Sequence, residues 1–240
     1  MELEEFSIKI KEFCEKINID ITSEEVCKFF EYMNLLLECN KNVNLTAITE
    51  PNDVVLKHFV DSLTINKYIK ENKKVIDIGT GAGFPGVPLG IYRKDTSILL
   101  MDSLNKRIKF LEDVCEKIEL SNVKTIHARA EELAKQGEYR EQFDYATSRA
   151  VASLNVLLEY MLPFVKIGGY CICMKGSNVL NEIENAQKAL DILGGTIEKI
   201  DKFCLPESDI IRNVILIKKI RNTPNKYPRK AGAPSREPIQ

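Results

Sequence analysis

Four glycines, Gly79, Gly81, Gly83 and Gly86, punctuate the run Asp77-Ile-Gly-Thr-Gly-Ala-Gly-Phe-Pro-Gly86. Residues without a Cβ let a backbone turn tightly and come close to a ligand. The apolar stretch Val75–Ile78 leads into the loop and a helix is expected to follow it, the arrangement by which doubly wound sheets hold nucleotides. Gly81-x-Gly83-x-x-Gly86 fits the dinucleotide fingerprint, so an NAD(P)-dependent oxidoreductase is one reading. Asp102, at the end of the next apolar run, can accept the ribose hydroxyls of any adenosine ligand; capping of the following helix is the alternative. Ala130 and Glu131 follow the third apolar run, where an adenine ring would lie. Glu131 serves equally well as a carboxylate favoured in a first helical turn.

Two features point away from a dinucleotide. Asp77 stands two residues before Gly79, and three glycines alternate as G-x-G-x-G, which resembles the first motif of class I methyltransferases. Their cofactor, S-adenosylmethionine, carries a cationic sulfonium and an amino group that suit carboxylate and carbonyl oxygens, whereas a pyrophosphate wants bare N–H groups. Pro85 also removes one N–H from the loop. The stretch after the fourth strand, Thr147-Ser-Arg-Ala150, lacks the Asn/Asp-Pro-Pro-aromatic signature of enzymes that methylate exocyclic amines. No cysteine adjoins a proline, as carbon methylation of pyrimidines needs. The gaps favour an acceptor with a free lone pair, such as N7 of guanine, whose methylation removes no proton and requires no general base. Positioning and electrostatics would then carry catalysis.

The elements that must place these residues are readable from periodicity. Residues 2–70 read as helical, with Ser23 as an N-cap and Pro51 opening a further helix. From residue 73 apolar runs at 75–78, 97–101, 123–126, 143–147 and 169–174 alternate with amphipathic segments at 104–119, 130–136 and 153–164. Such alternation predicts an α/β fold with a parallel sheet. After a helix at about 178–193, two strands at 195–205 and 209–219 suggest an antiparallel pair closing the sheet edge. The division expected is an N-terminal helical extension (1–70), a Rossmann-like methyltransferase domain (71–221) and an extended basic arm (222–240).

The chain has 240 residues, 44% hydrophobic and 29% charged, a composition too apolar for disorder and interrupted too often for a membrane span. Its start is acidic where a signal peptide would be basic. Seven scattered cysteines without a CxxC and two histidines predict reduced thiols and no metal site. The net charge of −1 hides an asymmetry: Lys218 to Gln240 holds seven basic residues against Glu237 alone. Basic tails are common grips for anionic polymers.

Taken together, Asn44-Leu-Thr-Ala47, His58-Phe-Val-Asp-Ser62, the glycine loop with its Phe-Pro-Gly extension, Asp102-Ser-Leu-Asn-Lys-Arg107, Ala128-Arg-Ala-Glu-Glu132, Ser148-Arg-Ala-Val151 and the tail Thr223–Pro234 resemble the ribosomal RNA small subunit methyltransferase G family, also called glucose-inhibited division protein B. The resemblance covers nearly the whole chain. It implies a bacterial cytoplasmic enzyme moving methyl from S-adenosylmethionine to guanine N7 at one position of 16S ribosomal RNA; a monomer without metal or membrane partner is the separate expectation. Its cofactor contacts fall on Gly79, Phe84, Ala130, Glu131 and Arg149, with Asp102 at the ribose; Asp77, Gly81 and Gly83 complete the loop. Arg149 and Lys175 are the candidates for a part in catalysis. Arg129, Lys175, Arg221, Lys226, Tyr227, Arg229 and Lys230 are candidates for a basic rim on the RNA, while His58 reads as a satisfied buried histidine. Alternatives to this reading are the oxidoreductase and a non-catalytic RNA-binding module with a vestigial pocket.

Overall fold

Helices α1 (Leu3–Lys16) and α2 (Ser23–Val43) open the chain of a computed structural model that describes residues 1–240. Each turns an apolar stripe inward: Phe6, Ile10 and Phe13 from α1, and Val26, Phe29, Tyr32, Met33 and Leu36 from α2. The cap of α2 is Thr22 rather than the expected Ser23. The Thr22 hydroxyl accepts the Glu25 N–H (3.2 Å), and the Glu25 carboxylate accepts the Thr22 N–H (2.8 Å). This reciprocal pair satisfies two otherwise orphaned donors, and Ser23, one residue on, cannot make it. Pro51 opens α3 (Pro51–Val54) as expected. The helix then widens into a π-helical turn, Val55–Val60, before α4 (Asp61–Leu63). Turns of that kind are often found at functional sites.

Seven strands follow: β1 (Lys74–Ile78), β2 (Ser97–Asp102), β3 (Val123–His127), β4 (Phe143–Arg149), β5 (Val165–Lys175), β6 (Gly195–Cys204) and β7 (Ile211–Lys219). They form one sheet in the order β3-β2-β1-β4-β5-β7-β6. The first five are parallel, and β7 runs antiparallel to both β5 and β6. The expected hairpin therefore forms, but its second strand is inserted between β5 and β6, leaving β6 at the edge. Strand β5 begins earlier than its apolar run, at Val165, through the less apolar Lys166-Ile-Gly-Gly169.

The crossover helices α5 (Gly86–Tyr92), α6 (Asn105–Lys117), α7 (Ala130–Leu133), α8 (Leu154–Met161), α9 (Leu180–Asn185) and α10 (Gln187–Leu193) cover the two faces. One face buries 39 residues in a cluster that joins Phe6 and Phe29 of the N-terminal helices to Val87 of α5 and Leu111 of α6. The other buries 26, centred on α8 and α10.

The tail after Asn222 was expected as an extended arm and is instead folded back. The Arg140 guanidinium donates to the carbonyls of Thr223 (2.7 Å) and Tyr227 (2.9 Å), and Arg229 forms a forked ion pair with the buried Glu159 (2.7–3.1 Å). Tyr227 and Ile239 are buried in the second cluster, and a short helix, α11 (Ala233–Arg236), packs near α8. The tail has no apolar period of its own. Its order comes from Arg140 and Glu159, far away in the sequence.

Candidate functional site

The carboxyl ends of β1, β2 and β4 open into a cleft of about 1080 Å³, walled on one side by the glycine loop and on another by the π-helical turn. Gly79 and Gly81 hold φ of +67° and +64°. A Cβ on Gly81 would meet nothing closer than 4.0 Å, so the loop presents an open backbone surface to the cleft. A Cβ on Gly83 would lie 2.6 Å from the Tyr32 hydroxyl, which reaches across from α2 and donates to the Ala82 carbonyl at 2.5 Å. Gly83 thus serves packing behind the loop and does not line the cleft.

Asp77 lies outside the cleft as well, contrary to its assignment as a ligand-contacting residue. Fully buried, it accepts from the Thr80 hydroxyl (2.6 Å), the Gly86 N–H (2.9 Å) and the Thr147 hydroxyl (3.2 Å). Burial pushes its carboxyl up to about 6, against the pull of these hydrogen bonds and of Arg149. Its work is to pin the loop. Asp102 does line the cleft; its carboxylate takes the Gly81 N–H (3.0 Å), the Leu104 N–H (2.9 Å) and Arg107 (3.2 Å).

Beside the cleft is a smaller pocket of about 140 Å³, and Gly79, Asp102, Ser103 and Val151 border both. Arg129, Ala130, Glu131 and Tyr160 line this second pocket. Its wall is braced from behind by the tail: the Gly232 N–H donates to Glu131 (2.9 Å), and Ser235 bonds the Tyr160 hydroxyl (2.9 Å).

Phe84 stands at the inner end of the cleft. Its ring stacks on His58 (centroids 4.2 Å, 16° apart), and the Arg149 guanidinium lies 4.8 Å over it. Arg149 donates to the Lys57 carbonyl (3.1 Å), Asp61 (3.3 Å) and His58 Nδ1 (3.0 Å). Because Nδ1 accepts, the His58 proton sits on Nε2, which faces Thr46 Oγ1 at 2.8 Å. Burial, and after it Arg149, pushes His58 down to about 3, so the ring is neutral. Asp61, only 1% exposed, also pairs with Arg212 (3.0 Å). Asp61 and Arg212 were missed as a pair by sequence reasoning because 151 positions separate them. Tyr32 was missed likewise; only its place in the apolar stripe of α2 marked it.

On the opposite wall Lys175 donates to the Ala152 carbonyl (2.5 Å) and to Glu182 (2.7 Å). Lys175 lines the cleft, but its charge is paired, so it is no bare cation awaiting a phosphate. The expected rim divides in the same way. Arg229 is committed to Glu159 and Arg221 to Asp191, and the Tyr227 ring is buried. Arg129, Lys226 and Lys230 remain exposed. No cluster of His, Cys, Asp and Glu has the makings of a metal site, and no helix is long and apolar enough to cross a membrane.

This sheet order with its single reversed strand, over a glycine loop and an acidic second strand, defines a Rossmann-like methyltransferase. Solved structures agree: an S-adenosylmethionine-dependent methyltransferase from Aquifex aeolicus superposes with a TM-score of 0.53, covering 70% of this chain and 94% of its own, at 15% identity. A variant of a 16S rRNA adenine-N1 methyltransferase from Catenulisporales acidiphilia, crystallised with its cosubstrate SAM, gives 0.51 over 64% and 88% at 13% identity. In sequence, residues 25–211 match the family model for rRNA small subunit methyltransferase G. The protein of that name from Alkaliphilus oremlandii is 52% identical over 233 residues, 96% of this chain and 98% of its own length. The one from Acetivibrio thermocellus is 54% identical over 222 residues, 92% and 91% of the respective lengths. The chain belongs to the rRNA small subunit methyltransferase G family and is an rRNA methyltransferase.

Proposed function

We propose that the protein transfers methyl from S-adenosylmethionine to N7 of a guanosine in 16S ribosomal RNA. The observation that carries this is the state of the glycine loop. The N–H groups of Gly79 and Thr80 donate to Met101, those of Gly83 and Phe84 to Thr80, that of Gly81 to Asp102 and that of Gly86 to Asp77. Pro85 has none. Of the loop's donors only the Ala82 N–H is left for a ligand, fewer than a pyrophosphate needs, and two carboxylates stand behind the loop. At the loop this arrangement suits the amino group and sulfonium of a cationic ligand better than a pyrophosphate.

The residues fit S-adenosylmethionine. In this reading Asp102, at the junction of the two cavities, takes the ribose through its remaining lone pair, and Ala130 and Glu131 flank the adenine in the small pocket. Gly79 and Gly81 offer the methionine portion an open backbone, with Phe84 lining the cleft beside them. When bound, the cofactor supplies a methyl whose C–S bond breaks toward sulfur as an acceptor lone pair attacks. The chain's own contribution is to orient the acceptor and exclude water. Arg149 stiffens Phe84 by lying across its ring, and Asp61 and His58 hold Arg149. His58 does not act as a general base: both nitrogens of the neutral ring are engaged. Attack by N7 needs none, because no proton leaves.

The test is binding and transfer with purified protein. S-adenosylmethionine should bind saturably and NAD(P) should not. Label from the methyl group should appear as 7-methylguanosine in small-subunit RNA; label in another nucleoside would refute the proposal.

A further inference from the structure

Three carboxylates line the large cleft: Asp61, Asp102 and Glu182. Both oxygens of Asp61 are taken by Arg212, one of them also by Arg149, and both oxygens of Asp102 by the loop, Leu104 and Arg107. Glu182 differs. Its Oε2 accepts the Leu154 N–H (2.8 Å) and Lys175 Nζ (2.7 Å), while Oε1 has no partner in the protein. The side chain is thus held from behind with its other oxygen directed to no protein donor. Beside it, Lys175 Nζ spends two of its three protons on Ala152 and Glu182 and keeps one.

We propose that Glu182 and Lys175 together read the Watson–Crick edge of the target base and make guanine the preferred acceptor. That edge of guanine runs acceptor, donor, donor: O6, N1–H and N2–H. The free proton of Lys175 matches O6, and the free Oε1 of Glu182, with its two lone pairs, matches the two N–H groups. Adenine and cytosine set an amino group against Lys175 and offer Glu182 no N–H, and uracil lacks the second donor. A base held by this edge turns its N7 edge the other way, away from the Glu182 wall. The inference rests on the guanine-N7 reading above and adds the residues that select the base. Both side chains touch substrate in this account, and neither moves a proton. A carboxylate left facing a base that lacks the matching donors is desolvated without compensation, which is how such sites reject analogues.

The decisive comparison uses small-subunit RNA carrying either guanosine or inosine at the target, inosine lacking only the N2 amino group. Transfer efficiency and equilibrium RNA binding are measured for wild type and for Glu182→Gln, with S-adenosylmethionine affinity and thermal unfolding as controls. Wild type should prefer guanosine about tenfold or more. Glu182→Gln should lose about tenfold or more on guanosine, bring the guanosine-to-inosine ratio close to one, and keep cofactor affinity within about twofold. Glu182→Ala, read by RNA binding alone, should show the same levelling. A variant that retains the wild-type ratio would overturn the assignment. Wild-type protein that labels no guanine N7 in either RNA would instead overturn the functional reading on which it rests.

Discussion

Arg149 shows what a single residue does here: it lies over Phe84, takes its geometry from Asp61, Lys57 and His58, and is itself largely buried. Burial draws its guanidinium below the ordinary value, and Asp61 works against that shift. Asp61→Asn leaves two adjacent guanidinium groups, Arg149 and Arg212, without their carboxylate. The expected cost is about 3–5 kcal/mol of stability, to be read from denaturant unfolding at pH 7. His58 supplies a pH signature. Its folded value is depressed from 6.5 to about 3, so the unfolded chain takes up a proton that the folded one refuses. The contribution is present in full above about pH 6.5 and drains as the pH falls toward 3. Between pH 7 and 5 wild type should lose about 2 kcal/mol more than His58→Gln, measured as the difference in unfolding free energy. Gly79, Gly81, Phe84 and Asp102 were legible in the sequence because one loop and one strand end carry them. Asp61 was legible within the His58–Ser62 run, though without its partners; Arg212, Tyr32 and Glu182 were not, since each acquires its meaning from a partner that only the folded chain brings near. Asp77 was legible as part of the motif but not as the pin behind the loop.

At the scale of elements, α2 and the tail act on the site from outside the sheet. Tyr32 ties α2 to the glycine loop through the Ala82 carbonyl. Tyr32→Phe should cost about 1 kcal/mol in stability and weaken cofactor binding measurably by calorimetry, with no change in the RNA interaction. Four prolines and a glycine after Asn222 predict an extended arm, yet distant side chains fold the tail back. Arg229 of the tail pairs with Glu159, and before the tail Arg221, Lys218 and Lys219 pair with Asp191, Glu198 and Glu141 respectively. Arg229→Ala strands the buried Glu159 and should lower stability by about 3 kcal/mol or more, seen as a reduced Tm. Lys226→Ala and Lys230→Ala remove exposed charges. They should leave Tm unchanged, weaken RNA binding across all sequences and reduce its salt dependence. If Arg229→Ala keeps the wild-type Tm, the tail is not the brace described here.

Over the whole molecule, two apolar clusters on either face of a seven-stranded sheet hold the carboxyl ends of β1, β2 and β4 open between them. The α/β class, the order of helices and strands and the antiparallel pair were readable from alternating apolar runs. Placement of β7 inside β6 was not, because strand order depends on long-range pairing. The central claim is that this cleft delivers a methyl to guanine N7. Its most direct test is transfer from isotope-labelled S-adenosylmethionine to small subunits from cells lacking this gene, followed by digestion and nucleoside analysis. The account predicts label in 7-methylguanosine at a single position of the 16S RNA. Label in any other nucleoside, or none under saturable cofactor binding, would contradict it.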